Sequence, residues 1–160
     1  MIRAFRPGDA PAMTEIYNHY VLKTDISFET EALTVEQMLE RLGEIAASYP
    51  CFVDCEDGML RGYCYAHLWK ERAAYKHTWE ATVYLAPDQM RKGIGRRLME
   101  RLIEECRAAG CKALVSCVTG GNVASDALHR RLGFKQVSLF PKVGRKFGRW
   151  LDVVDYELLL

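Results

Sequence analysis

Val83-Tyr84-Leu85-Ala86-Pro87-Asp88-Gln89-Met90-Arg91-Lys92-Gly93-Ile94-Gly95 reads as a strand, then a tight basic loop rich in glycine, then the start of a long helix. Glycine lets backbone amides come close to a ligand, and a helix N-terminus adds unsatisfied N–H groups and a partial positive charge. The loop is therefore built to receive an anion such as a pyrophosphate. Arg91, Lys92, Arg96 and Arg97 supply neutralising charge. Taken alone, the same residues also fit a plain strand-to-helix turn under a solvated basic face. The spacing is neither a Rossmann fingerprint, which needs a third glycine, nor a Walker loop, which ends in Gly-Lys-Ser/Thr.

Working outward, Gly93 to Ala109 reads as a helix with Ile94, Leu98, Leu102 and Cys106 on one apolar stripe and Gly110 as its stop. Before the loop, Cys51 to Cys55, Leu60 to Leu68 and Thr78 to Ala86 are β-rich, with a turn at Asp57-Gly58, and predict an antiparallel meander. Residues 2 to 6 read as a short strand, followed by a helix from Gly8-Asp9 whose Met13, Ile16, Tyr17 and Tyr20 share a face. Thr34-Val35-Glu36-Gln37 has the form of a capping box, with Met38, Leu39, Leu42 and Ile45 on one face of the helix behind it, which ends near Tyr49-Pro50. After the long helix come a buried strand at Lys112 to Val118, a helix at Asn122 to Leu132 stopped by Gly133, and closing strands near Phe134 to Phe140 and Trp150 to Leu158. The order predicts a mixed α/β chain in which a mostly antiparallel central sheet of about seven strands carries helices on both faces. Residues 1–160 are expected to form a single domain.

Twenty-two Lys plus Arg stand against twenty-one Asp plus Glu, so the chain has no global field to draw nucleic acid or an acidic membrane, and any anion site must be local. No apolar run is long enough for a membrane span and the N-terminus has no signal-like apolar region, which predicts a cytoplasmic protein. The six cysteines form no CxxC pair, as expected of reduced thiols with neither disulfides nor a metal cluster.

Met90-x-x-Gly93-x-Gly95 after a strand resembles the acetyl-CoA signature of the GNAT superfamily, with Met90 departing from the usual Gln or Arg at its first position. Further blocks resemble the phosphinothricin N-acetyltransferase-like branch of that superfamily, which includes methionine sulfoximine and sulfone acetyltransferases. They are Asn18-His19-Tyr20, Trp69-Lys70-Glu71-Arg72-Ala73-Ala74-Tyr75, Trp79-Glu80-Ala81-Thr82-Val83-Tyr84, Leu128-His129-Arg130-Arg131-Leu132-Gly133-Phe134 and Lys146-Phe147-Gly148-Arg149-Trp150-Leu151-Asp152. Together they cover nearly the whole chain.

The resemblance implies an N-acetyltransferase that moves acetyl from acetyl-CoA directly to the amine of a small amino-acid-like substrate in a ternary complex, without a metal. It implies a splayed strand at Val83, Tyr84 and Leu85 that pairs with the pantetheine arm, an N–H of Tyr84 or Leu85 that polarises the thioester carbonyl, and a diphosphate held by Arg91, Lys92, Gly93, Ile94, Gly95 and Arg96. Asn122 and Ser125 correspond to positions near the pantetheine arm, and plain N-capping explains them too. Glu80 matches the family's catalytic carboxylate, although pattern alone favours a solvent-facing strand residue. His129 stands where many members carry the acid that protonates departing CoA; helix packing is the other reading. Phe28, Arg72 and Tyr75 are the implied acceptor contacts, with Lys70 as a helper, and a homodimer is the implied assembly. Two rivals stay open: acetylation of a protein N-terminus or lysine, and a non-catalytic acetyl-CoA-binding module.

Overall fold

Strands β1 (Ile2–Ala4), β2 (Cys51–Glu56), β3 (Met59–Leu68), β4 (Thr78–Leu85), β5 (Ala113–Thr119), β6 (Lys135–Lys146) and β7 (Arg149–Leu159) pair into one seven-stranded sheet in the order β1-β2-β3-β4-β5-β7-β6. This is a computed structural model, and it describes all of residues 1–160. Every neighbouring pair is antiparallel except β4 and β5, which run parallel. The helices are α1 (Ala10–Lys23), α2 (Val35–Ser48), α3 (Ile94–Ala108) and α4 (Val123–Arg131). The expected mixed sheet and element order are both present.

Alternation along the strands splits the core into two layers, because successive side chains of a strand leave opposite faces. Val53 and Tyr63 pack against Met13 and Tyr17 of α1 and Met38 and Leu42 of α2. Their neighbours Phe52 and Cys64 face the other way, onto Leu98, Leu102 and Cys106 of α3. The capping box forms with both arms: Thr34 Oγ1 accepts from Gln37 N–H at 3.1 Å, and Gln37 Oε1 accepts from Thr34 N–H at 2.9 Å. Leu39, expected on the apolar face of α2, is exposed instead.

One pairing positions the site. β4 and β5 meet only over Thr78–Glu80 and Ala113–Val115, yet β4 continues to Leu85 and β5 to Thr119. Beyond Glu80 the two strands part. Each is followed by a helix, so the N-termini of α3 and α4 both lie at the carboxyl end of this opening, the usual place for a ligand in a sheet with parallel strands. Strand β6 extends well past its expected end at Phe140, because an irregularity between Phe140 and Gly144 absorbs the intervening Pro141 without breaking the ladder.

Candidate active site

In the loop between β4 and α3, Pro87–Gln89 form one turn of 3-10 helix, and Arg91 and Gly93 then adopt positive φ of 62° and 74°. Gly93 is the N-cap of α3 and offers no side chain to bond the first turn, so the amides there stay available. Arg97 N–H is the first to find a helical partner, at Gly93 O, 3.1 Å away. Three of the four loop cations are already engaged within the chain: Lys92 donates to Gln89 Oε1 at 3.1 Å, Arg96 pairs with Glu100 at 2.7 Å, and Arg97 reaches Lys92 O at 3.3 Å and the buried Asp54 at 3.7 Å. Arg91 makes no side-chain bond or ion pair.

On β4, Ala86 N–H bonds Arg61 O of the β3 side at 2.9 Å. Backbone groups alternate along a strand, so Tyr84 also turns toward β3, and Val83 and Leu85 present their N–H groups to the opening. A diphosphate on the α3 amides and an extended arm along Val83 to Leu85 therefore fit this chain. At Gly95 a Cβ would meet only ordinary contacts, 3.4 Å from Leu85 and 3.7 Å from Leu128.

Two cavities open where the strands part. The smaller, of about 140 Å³, is lined by Val83, Ser116, Asn122, Ser125 and His129 among others. The larger, of about 430 Å³, is lined by Tyr17, Ser27, Phe28, Glu29, Thr119 and Val153 among others. Ile26, Glu80, Tyr84, Cys117, Val118 and Thr119 line both. Burial raises the proton affinity of Glu80, while His67, its partner across the β3–β4 ladder, and the Cys117 thiol work against that rise.

His129 lines the smaller cavity yet is only 3% exposed, stacked on Tyr156 at 5.3 Å and edge-on to Phe134 at 5.1 Å. Its Nδ1 lies 2.7 Å from Ser125 O. A carbonyl only accepts, so Nδ1 carries the proton. Burial lowers the pKa of His129, which favours the neutral imidazole. Asn122 caps α4 by accepting from Ser125 N–H at 3.2 Å and also lines the cavity.

Phe28 stands in the wall of the larger cavity, held by contacts distant in sequence. Its ring packs on Gly144 of β6 so closely that any Cβ there would collide with it. Lys146, 4% exposed, donates to Ser27 O at 2.6 Å; Arg149 meets Asp25 at 3.0 Å, and Thr119 Oγ1 donates to Asp25 O at 2.8 Å. The β6–β7 hairpin thus clamps the 25–29 loop over the cavity. Glu29 is fixed by Tyr17 at 2.8 Å and Arg41 at 2.6 Å, and these hydrogen bonds overcome the upward push of burial to hold its pKa low.

Arg72 and Tyr75 are not brought into either cavity. They lie on the turn after β3, where Arg72 is exposed and Tyr75 packs edge-on against Trp69 at 5.4 Å. Lys70 sits over Trp69 at 4.2 Å. Glu29, Cys117 and Thr119 went unnoticed in the sequence. Period-two alternation from Val115 places Cys117 on the face of Glu80, but nothing local marks Glu29.

The GNAT acetyltransferase family model matches residues 13–134. This chain belongs to that family. It is 38% identical to the L-amino acid N-acyltransferase MnaT of Escherichia coli K12, over 99% of this chain and 93% of that one. It is 40% identical to the phosphinothricin N-acetyltransferase of Alcaligenes faecalis, over 96% of this chain and 79% of that one. Among solved structures, a GNAT phosphinothricin acetyltransferase from Sinorhizobium meliloti in complex with acetyl-CoA superposes with a TM-score of 0.97 at 33% identity, covering 100% of this chain and 88% of that one. The GNAT chain described here is accordingly an N-acetyltransferase, and acetyl-CoA is its acetyl donor. All six of its cysteines are free thiols, and none of its helices is long and apolar enough to cross a membrane.

Proposed function

We propose that this enzyme acetylates the amine of a small amino-acid-like substrate of the phosphinothricin, methionine sulfoximine or methionine sulfone type, by direct transfer in a ternary complex. The observation that carries the reading is the position of Glu80, in the wall shared by two cavities. The smaller is bordered by the β4 edge and the start of α4; the larger is bordered by the 25–29 loop. A base at that junction meets both reactants.

An amino-acid ammonium must lose a proton before it attacks a thioester. Glu80 takes that proton, directly or through one water. Acetyl-CoA supplies the activated acetyl group. The Leu85 N–H, on the open side of β4, holds the carbonyl oxygen as negative charge develops on it. Arg91, Lys92, Gly93, Ile94, Gly95 and Arg96 hold the diphosphate, and Val83, Asn122 and Ser125 border the pantetheine arm. His129, neutral with its proton on Nδ1, orders the start of α4 and supplies no proton to the leaving thiolate. Phe28 covers the acceptor.

We place the reaction in the cytosol, where the free thiols stay reduced. We also assign a homodimer, supported by Val137, Leu139, Phe140 and Val143 of β6, which stand 49–57% exposed on one edge strand and its bulge. Light scattering at micromolar concentration tests the dimer. Thiol release from acetyl-CoA across a panel of amino acids, phosphinothricin, methionine sulfoximine, methionine sulfone and short peptides tests the substrate class. Turnover concentrated on the small amino-acid analogues is the expected result; turnover confined to peptides overturns it.

A further inference from the structure

Across the sheet from the base lies a second carboxylate with an unexplained oxygen. Asp155 of β7 is the register partner of Cys117 of β5, and Cys117 is two residues past Val115, the partner of Glu80. The three side chains therefore share one face in the order Glu80, Cys117, Asp155. Asp155 Oδ2 accepts from Ser138 Oγ at 2.8 Å. Its Oδ1 is buried and takes no hydrogen bond from Ser138 or the backbone, which leaves an acceptor within reach of Cys117. The Cys117 thiol is a second rotatable donor beside this carboxylate, from the paired strand.

We propose that Cys117 and Asp155 are positioning residues for Glu80: the thiol is a rotatable donor that bonds Glu80 while Glu80 is ionised and turns to Oδ1 of Asp155 once Glu80 has taken the proton. The inference rests on Glu80 being the base. During the step the ammonium N–H bond breaks and an O–H bond forms on Glu80, while the S–H bond stays intact throughout. Desolvation at the cavity wall and the two flanking carboxylates push the pKa of this solvent-accessible thiol up, so it remains a donor across the working range. Asp155, not lining either cavity, acts only through its neighbours. The other groups facing Glu80 are His67 from β3, Tyr84 from β4 itself, His129 from α4, and Tyr17 and Glu29 across the larger cavity.

Opposite effects follow from the two partners. The Cys117 bond favours the ionised form of Glu80 and the Asp155 charge disfavours it. The test is the pH profile of kcat/KM for methionine sulfone in the full-length enzyme and in Cys117→Ala, Cys117→Ser, Asp155→Asn and Glu80→Gln. Melting curves confirm the fold of each variant. Cys117→Ala is expected to move the acidic limb to higher pH, Asp155→Asn to lower pH, and Cys117→Ser, which keeps a donor, to leave it near its original place. Limbs that stay fixed while rates fall, or that move in one direction for both Cys117→Ala and Asp155→Asn, overturn the proposal. Its failure is separable from that of the base assignment: Glu80→Gln with full activity sinks both, whereas an inactive Glu80→Gln beside fixed limbs in the Cys117 and Asp155 variants sinks this proposal alone. Should Asp155→Asn not fold, the contrast between Cys117→Ala and Cys117→Ser decides.

Discussion

Glu80 and Val115 are the last residues through which β4 and β5 pair, so the carboxylate stands at the apex of the opening between the two strands. A base there is fixed by the ladder on one side and meets a cavity on the other. Rigid strand backbone holds a reacting group more firmly than a loop does.

Replacing Glu80 with Gln should lower kcat by roughly 10²–10⁴-fold, the usual contribution of a positioned base. The KM for acetyl-CoA should change little, because the α3 amides are untouched. Glu80 must be ionised to act, and burial raises its pKa. The acidic limb of the wild-type profile should therefore lie above the ordinary glutamate value of about 4.3, as steady-state kinetics across pH will show.

Gly93 adopts a φ of 74° at the head of α3. An alanine there faces a left-handed cost of about 1–2 kcal/mol and meets Arg97 Nη1 at 3.3 Å. Weaker acetyl-CoA binding by calorimetry, with a smaller loss in melting temperature than in affinity, is the expected outcome for Gly93→Ala.

Gly144→Ala drives a methyl group into the Phe28 ring. Overpacking of this kind costs about 1–3 kcal/mol, and here it displaces the wall of the acceptor cavity. The KM for the amine should rise while the Kd for acetyl-CoA stays constant. Equal changes in both would contradict a role confined to the acceptor side.

His129→Phe keeps the stack on Tyr156 but removes the hydrogen bond to Ser125 O. Turnover at neutral pH should persist with a lower melting temperature. A collapse of kcat with unchanged acetyl-CoA affinity would instead restore His129 as the acid.

Arg3 bonds both carboxylate oxygens of Asp9, at 2.7 and 2.8 Å, and those bonds hold the Asp9 pKa low against the opposing effect of burial. The stabilisation is therefore whole above the unfolded value of about 3.9 and is lost as pH falls through the lower folded value. Asp9→Asn should cost about 1.5–3 kcal/mol near neutrality, with the difference from wild type shrinking in acid, measured by urea titration at several pH values.

Much of this was legible in the residues. The stripe of Ile94, Leu98, Leu102 and Cys106 is fully buried, and Thr34 with Gln37 closes its capping box. Such features are local: periodicity and end signals act within a few residues, so a single sequence carries them whole. Matching the blocks around Glu80 and Gly93 to a family likewise needed only the chain itself.

What the residues did not carry depends on strands distant in sequence. Phe28 owes its place to Gly144, and Ser27 to Lys146; Glu80 faces Cys117 and Asp155 only because β5 and β7 adopt one register out of several with similar patterning. Arg72 and Tyr75 lie outside both cavities because the turn after β3 carries them away. Sequence fixed which segments become strands and helices, through backbone propensity and apolar spacing. Tertiary packing decided which side chains meet across the opening, because register and loop docking are settled by long-range burial that no local window contains.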